Sequence, residues 1–265
     1  MILKIKILVH SNEYLFGIRP RTSCDTKINC KVLLLQKILS NIFLLFGYGY
    51  NCNGYLITST QGESLLVDSG LGKFDASWGY TVNNPKEELL SCIKTHKVNQ
   101  IVLTHAHLDH SGGVASLSSD QREGITIYCH EDEKKHLESA ESLYINPINK
   151  LTLDPITITK GLTTGDSITI DKYVFEVIHT PGHTEGSMCL YESDKKILFS
   201  GDCVFPEGSF GRVDFPGSNP EKMLSSLEYL ASLEIESLFA GHMEPIISDA
   251  KRSIQKSYQN AKSML

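Results

Sequence analysis

Apolar positions along this sequence fall into short runs that are separated by glycines, prolines and polar turns. The runs are rich in Ile, Leu, Val, Phe and Tyr, and most are too short for a helix. This patterning predicts β-strands. They fall at residues 42–46, 55–58, 64–67, 100–103, 125–129, 156–159, 167–170, 173–178, 187–191, 196–199 and 238–240.

Longer stretches carry apolar residues at helical spacing. Residues 85–96 place Leu89, Leu90 and Ile93 on one face, which predicts an amphipathic helix. Helices are also predicted at 131–143, 220–233 and 248–264. Ser218 or Asn219 is expected to cap the third of these, with Pro220 in its first turn. A further helix is expected to open at Gly112 and Gly113.

The order of strands, helix, strands and helix occurs twice with no intervening linker. We therefore predict an α/β (α+β) fold in which two sheets pack face to face with helices outside. We expect a single domain over residues 1–265, with 1–40 as an N-terminal extension. Within it, 1–9 is predicted to be a strand, 10–31 a loop, and 32–36 a strand or a helix start.

Composition and charge narrow the class of protein. The chain has 265 residues, of which 41% are hydrophobic and 21% charged, as in an ordinary globular protein. A formal net charge of −6 argues against non-specific binding to nucleic acid or to an anionic membrane. The apolar stretch 32–46 is too short and too polar to span a bilayer. We expect a small molecule as partner. The oligomeric state is open, with a homodimer among the options.

The seven cysteines show no metal or redox spacing, because no pair is separated by two residues. Their odd number favours reduced, mostly buried thiols, and hence a cytoplasmic protein. Cys24 and Cys30 could pair only in an oxidising compartment.

Three histidines and an aspartate are concentrated directly after the predicted strand 100–103. They are His105, His107, Asp109 and His110. In an extended segment, residues two apart point to the same side, about 7 Å apart. His105 and His107 can therefore converge on one metal ion. Asp109 shares this parity but stands where the chain turns, so it can serve the same ion or, with His110, a second one. Imidazole and carboxylate ligands suit zinc, iron or manganese.

Similar residues follow four other predicted strands. His183 comes after the turn Pro181-Gly182, and Asp202 and His242 each follow a glycine. The carboxyl ends of strands are where α/β folds place their sites, so a two-metal centre is predicted there. Asp68 also ends a strand, and it is either a support for this centre or a simple turn residue.

The set His105-x-His107-x-Asp109-His110, His183, Asp202 and His242 resembles the signature of the metallo-β-lactamase superfamily. The resemblance implies a four-layer αββα sandwich and two divalent metal ions, with zinc favoured and iron or manganese as alternatives. It implies that His105, His107 and His183 hold metal one, and that Asp109, His110 and His242 hold metal two. Asp202 would bridge both ions, so Asp109 and Asp202 stand next to the reacting water.

The segment 208–217, Gly-Ser-Phe-Gly-Arg-Val-Asp-Phe-Pro-Gly, is similar to a loop of the hydroxyacylglutathione hydrolase (glyoxalase II) branch. By charge, Arg212 and Asp214 can pair and fix this loop, a structural support that is favoured over direct substrate contact. The final motif departs from the family, because Met243 stands where a glycine is expected after His242.

The resemblance implies a hydrolase in which a metal-bound hydroxide attacks a thioester or a related ester. The alternatives on the same fold are an iron-dependent persulfide dioxygenase, a lactonase or a phosphodiesterase. Cys203, beside Asp202, is a further candidate nucleophile, but neighbouring side chains at a strand end point apart. Substrate specificity is expected to lie in residues 131–151 and 10–40, with Tyr144, Asn146 and Lys150 as candidate lining residues.

Overall fold

The structure is a computed structural model, and it describes residues 35–45, 47, 50–73, 85–148 and 153–265. These belong to one compact unit, Leu33–Leu265; the other unit, Met1–Val32, lies outside the described residues. The predictions for residues 1–31, which include Cys24 and Cys30, and for Lys150 also lie outside them. The single domain over 1–265 stays a prediction.

The first half of the described chain forms a seven-stranded sheet in which the strands follow one another in chain order. Pairing is antiparallel from the first strand to the fourth and parallel from the fourth to the seventh. The strands are β1 (Leu35–Lys37), β2 (Ile42–Leu45), β3 (Gly54–Thr58), β4 (Ser64–Val67), β5 (Val98–Val102), β6 (Thr126–His130) and β7 (Lys160–Leu162).

The second half forms a five-stranded sheet and a short two-stranded ribbon. The sheet contains β8 (Ser167–Ile170), β9 (Tyr173–His179), β10 (Met188–Glu192), β11 (Ile197–Gly201) and, parallel to β11, β14 (Ser237–Ala240). The ribbon pairs β12 (Val204–Phe205) with β13 (Ser209–Phe210).

The α-helices of the described residues lie between and after these strands, and a short 3₁₀ turn, Pro206–Gly208, joins β12 to β13. The α-helices are α1 (Pro85–His96), α2 (Leu108–Ala115), α3 (Ser119–Arg122), α4 (Glu131–Ser139), α5 (Ser142–Ile145), α6 (Pro220–Ser232) and α7 (Ala250–Met264). Asn219 caps α6, because its Oδ1 accepts the backbone N–H of Lys222 at 2.9 Å.

Three successive hydrophobic cores define four layers. Leu89 of α1 and Leu137 of α4 belong to the core on the outer face of the seven-stranded sheet. The second core lies between the sheets, where the ring of Tyr55 meets that of Phe199 edge-on at 5.2 Å. Leu227 of α6 belongs to the third core, on the outer face of the five-stranded sheet. The predicted αββα sandwich is thus confirmed.

The predicted strand 156–159 is wrong. Its backbone forms no strand ladder in the described chain, and β7 begins at Lys160, directly after the predicted segment ends. Ile156 is buried because it packs under α4, where its N–H donates to the carbonyl of Leu137 at 3.0 Å. The apolar pattern there reflects burial without strand pairing.

Two helix predictions also change. The helix predicted over 131–143 is divided into α4 and α5 by Ala140, which adopts a left-handed φ of 52°. The helix expected to open at Gly112 and Gly113 begins earlier, at Leu108. The glycines lie inside it, because a Cβ on Gly113 would come within 2.0 Å of the carbonyl oxygen of Ser69. They let α2 approach the loop that follows β4.

The cysteines of the described residues are buried free thiols, namely Cys52, Cys92, Cys129, Cys189 and Cys203. Burial raises the pKa of Cys92 to about 12. Within the described part of the chain, no helix has both the length and the apolarity needed to cross a membrane.

Candidate metal centre

The seven predicted ligands follow the carboxyl ends of four strands, and the structure brings them together. β5 leads into His105, His107, Asp109 and His110, while β9 leads into His183, β11 into Asp202 and β14 into His242. Their ligating atoms form overlapping groups in which every atom lies within 4.8 Å of the others. Residues up to 137 positions apart in the sequence (105 to 242) thus share one site.

The first group consists of His105, His107 and His183. The Nδ1 of His107 lies 3.1 Å from the Nε2 of His105 and 2.9 Å from the Nε2 of His183. Burial, together with His110 and His107, lowers the pKa of His105 well below its usual range, and burial and His183 lower the pKa of His107 to about 3. The imidazoles of His105 and His107 are therefore neutral, which is the form that binds metals.

Hydrogen bonds on the far side of the rings orient this group. The Nδ1–H of His183 donates to the carbonyl oxygen of Arg212 at 2.8 Å, so its Nε2 turns a lone pair inward. The Nδ1 of His105 lies 3.1 Å from the hydroxyl of Thr104. Partners of this kind fix the tautomer of a metal-binding histidine. Nitrogens so close together need a shared proton or a cation between them.

The second group consists of Asp109, His110 and His242. The Oδ2 of Asp109 lies 3.0 Å from the Nε2 of His242 and 3.6 Å from the Nε2 of His110. Burial alone would lower the pKa of His242, but Asp202 and Asp109 raise it to about 11. The site thus demands positive charge, which either protons or a divalent ion can supply.

The carboxylate of Asp202 contacts both groups. Its Oδ1 lies 3.2 Å from the Nε2 of His110, and its Oδ2 lies 3.5 Å from His242 and 3.7 Å from His183. The buried polar atoms that have no hydrogen-bond partner include this Oδ1 and the Nε2 of His110. Unpartnered buried polar atoms of this kind fit the coordination of a cation. The donor set of imidazole nitrogens and carboxylate oxygens suits zinc, iron or manganese.

Asp68 lies directly behind His110. Its Oδ2 accepts the Nδ1–H of His110 at 2.8 Å and the hydroxyl of Thr104 at 2.9 Å, and its Oδ1 accepts the backbone N–H of Thr104 at 2.8 Å. The carboxylate therefore holds the His110 ring with its Nε2 facing Asp202. Of the two roles that the sequence left open, the geometry favours support of the centre.

The segment 208–217 lies against the same centre. A Cβ on Gly211 would come within 1.9 Å of the carbonyl oxygen of Asp202, so the backbones meet closely there. Arg212 and Asp214 form a two-pronged pair at 2.9 and 2.7 Å, although both side chains are exposed. The Arg212 guanidinium also lies 4.2 Å from the centroid of the Phe215 ring, which packs edge-on against His107.

Sequence reasoning missed Glu133, a fully buried carboxylate beneath the two histidine loops. Its Oε2 accepts the backbone N–H of Ala106 at 2.8 Å, and its Oε1 accepts that of Gly186 at 2.8 Å. Glu133 therefore joins the loop of His105 and His107 to the loop of His183. Burial raises its pKa, although these hydrogen bonds oppose the shift. The sequence contains only a weak sign of this burial: Glu133 stands four residues before Leu137 and therefore shares the inner face of α4 with it.

Two of the candidate lining residues prove to be buried. Tyr144 is 4% exposed and Asn146 is 6% exposed. The hydroxyl of Tyr144 donates to the Oε1 of Glu133 at 2.9 Å and accepts the N–H of Glu185 at 3.1 Å. The structure therefore assigns Tyr144 to the support of the His183 loop.

Comparison with known proteins agrees with this geometry. The family model described as the metallo-beta-lactamase superfamily matches residues 47–242. The hydroxyacylglutathione hydrolase GloC of Haemophilus influenzae is 31% identical over 184 residues, which cover 67% of this chain and 76% of that protein. The acyl-coenzyme A thioesterase MBLAC2 of Bos taurus is 27% identical over 218 residues, which cover 73% and 74%.

A solved structure, TTHA1623 in a di-iron-bound form, is also similar. It superposes with a TM-score of 0.59 at 29% identity, over 77% of this chain and 93% of its own. The four-layer fold and the paired ligand groups define a metallohydrolase architecture. This chain belongs to the metallo-β-lactamase superfamily.

Proposed function

We propose that this protein is a dinuclear metal-dependent hydrolase of thioesters and related esters. The observation that carries the proposal is the position of Asp202, whose carboxylate reaches His110 and His242 on one side and His183 on the other. A carboxylate shared by two complete ligand groups fits a two-metal centre. Two relatives, GloC and the bovine acyl-coenzyme A thioesterase, bear the names of thioester hydrolases.

The residues present can hold both ions. His105, His107 and His183 would bind metal one, Asp109, His110 and His242 would bind metal two, and Asp202 would bind both. When bound, two such ions lower the pKa of a water molecule towards neutrality and polarise a carbonyl group. We propose zinc on the ligand chemistry, and the di-iron relative supports iron as the alternative.

The protein residues determine how a substrate approaches. Asp109 and His242 are 24% and 30% exposed, whereas the first histidine group is buried, so the open side of the centre is that of metal two. Phe205 lies 6.1 Å from the His242 ring, and Phe215 lies 5.6 Å from the His107 ring. An apolar ring therefore flanks each half of the centre, which favours a substrate with an apolar acyl part.

The leaving group supports thioesters over amides. A thiol has a pKa of about 8.5, so it leaves as a thiolate without a strong proton donor. The side chains described around the centre include histidines and carboxylates. Cys203 is not a nucleophile facing them, because its side chain packs in the third core. A thioester thus matches the groups that this site provides.

The test is a substrate panel on protein whose metal ions have been counted. It should compare thioesters, lactones, phosphodiesters and glutathione persulfide. We expect thioester hydrolysis to exceed the other activities and to disappear on chelation. Oxygen uptake with persulfide on an iron-loaded protein, without thioester hydrolysis, would instead establish the dioxygenase alternative.

A further inference from the structure

A second cluster of metal-ligating side chains lies outside the candidate metal centre. It consists of His130 at the end of β6, Asp132 in the first turn of α4, and His179 at the end of β9. One ligating atom of each lies within 4.8 Å of the other two. None of the three belongs to the superfamily ligand set described above.

The distances within this cluster approach those of a coordination shell. The Oδ2 of Asp132 lies 3.6 Å from the Nδ1 of His130 and 3.8 Å from the Nε2 of His179. Zinc–nitrogen bonds of about 2.0–2.1 Å in a tetrahedral site set neighbouring donors about 3.3–3.4 Å apart. The carboxylate oxygen is thus within a few tenths of an ångström of the required separation from both imidazoles.

The Nδ1 of His130 and the carboxylate of Asp132 lie 3.6 Å apart. The Nδ1 of His130 accepts the backbone N–H of Asp132 at 3.3 Å, so it carries a lone pair. His130 is 4% exposed, and burial together with His179 lowers its pKa to about 4. The backbone N–H of Asp132 engages this lone pair in a long hydrogen bond, and a cation between the Nδ1 and the Asp132 carboxylate would replace that bond.

A backbone carbonyl oxygen that could serve as a fourth metal ligand lies beside His179. The Nε2 of His179 lies 2.9 Å from the backbone carbonyl oxygen of Glu185. That contact is a hydrogen bond from the Nε2–H of His179, so metal binding requires the ring proton to move to Nδ1. The Nε2 lone pair would then bind the ion, and the carbonyl oxygen or a water would complete the shell. Asp132 is about half exposed and His179 is 28% exposed, which leaves a path from solvent.

We propose that His130, Asp132 and His179 form a third metal site, which binds a divalent transition ion such as zinc independently of the candidate metal centre. Two imidazoles and one carboxylate suit zinc, cobalt or nickel. An ion bound there ties the start of α4 to the end of β9. Because β9 leads to His183 four residues later, the third site braces the loop that carries a ligand of metal one. The proposal does not depend on the proposed activity.

The rings of His130 and His179 stack with centroids 3.9 Å apart and an interplanar angle of 13°. An imidazole binds a metal ion in its ring plane, so two parallel rings at this spacing cannot share an ion until one of them rotates out of the stack. The exposed ring of His179 has room to rotate, whereas the buried ring of His130 is held by its neighbours. His179 is therefore the ligand whose position should change on binding.

The experiment is a zinc titration of protein that already carries its full complement of metal at the main centre. Binding is followed by calorimetry, and the metal content is counted after dialysis against a fixed free zinc concentration. Wild type is compared with Asp132→Asn and His179→Ala. The matched control is His136→Ala, because His136 lies on the same helix and contacts Glu185 at 2.6 Å but is outside the cluster.

We expect wild type and His136→Ala to bind one more equivalent of zinc than Asp132→Asn and His179→Ala do. Asp132→Asn is decisive if His179→Ala fails to fold, since it removes only the charge of a half-exposed side chain. Equal zinc content in wild type and Asp132→Asn would overturn the proposal. So would loss of the extra equivalent in His136→Ala, which would place the ion at His136 and Glu185.

Discussion

The Nδ1 of His110 lies 2.8 Å from the Oδ2 of Asp68, and both side chains are almost completely buried. The same carboxylate accepts two hydrogen bonds from Thr104, at the start of the histidine segment. Asp68 therefore links the end of β4 to both the backbone and one ligand of the candidate centre. It is a positioning residue, because it acts on the metal site through His110.

Asp68→Asn should weaken the second ligand group. An amide in this place turns an N–H₂ group towards donors that need an acceptor, and the His110 ring loses its fixed tautomer. We expect metal affinity or activity to fall by about 10- to 100-fold, as is usual when the partner of a metal-binding histidine is removed. The measurement is metal affinity by competition with a chelator. Unchanged affinity for both ions would show that Asp68 is only a turn residue.

Gly211→Ala should be far more damaging than Arg212→Ala. The new Cβ would approach the Asp202 carbonyl oxygen to 1.9 Å and the Nδ1 of His183 to 3.1 Å, so the loop must move away from two ligands. We expect a loss of activity of about a hundredfold or more, equivalent to ~2.7 kcal/mol. The Arg212–Asp214 pair is exposed, so solvent screens it and it should contribute little to stability. Similar kinetics for the two variants would contradict this account of the loop.

Met243→Gly should stabilise the protein. Met243 has a φ of 70°, and the left-handed region costs a non-glycine residue about 1–2 kcal/mol. Part of the gain is offset by the greater freedom of glycine in the unfolded chain, so we expect a net increase of about 1 kcal/mol in the free energy of unfolding. Denaturant unfolding measures it. Met243→Ala keeps the Cβ and is the control, for which no comparable gain is expected.

Cys203→Ala should leave hydrolysis nearly unchanged. The Cys203 side chain is fully buried in the third core, and the neighbouring Cys189 thiol, together with burial, raises its pKa well above the usual range. It is therefore a thiol that does not ionise at neutral pH, even though it follows Asp202 directly. Steady-state kinetics on metal-loaded protein test this. A loss of more than about a hundredfold with the metal content intact would restore the thiol as a nucleophile.

Much of the architecture could be predicted because strands and turns alternate strongly in this sequence. α1 has the bounds predicted for it, and Asn219 proved to be the cap of α6. The grouping of the ligands could not come from spacing, because Asp109 has the parity of His105 and His107. The structure places it at 3.0 Å from His242, since the chain turns into α2 at Leu108.

Other features depend on tertiary contacts that local patterns do not contain. Glu133 lies among charged neighbours in Glu131-Asp132-Glu133-Lys134-Lys135, and only its position beneath the two histidine loops distinguishes it. The ribbon of β12 and β13 consists of two residues on each side, which is too short to leave a periodic signal. Gly112 and Gly113 resemble a helix boundary, but the close approach of another backbone explains them.

The most direct test of the central claim is the metal content and thioester hydrolysis of Asp202→Ala beside wild type. Asp194→Ala, an exposed hairpin aspartate, is the control for loss of a carboxylate. Because Asp202 contacts both ligand groups, we predict that Asp202→Ala loses bound metal and more than about a hundredfold of the activity, while Asp194→Ala retains both. Asp202→Ala protein that still binds two ions and hydrolyses thioesters at the wild-type rate would contradict the account.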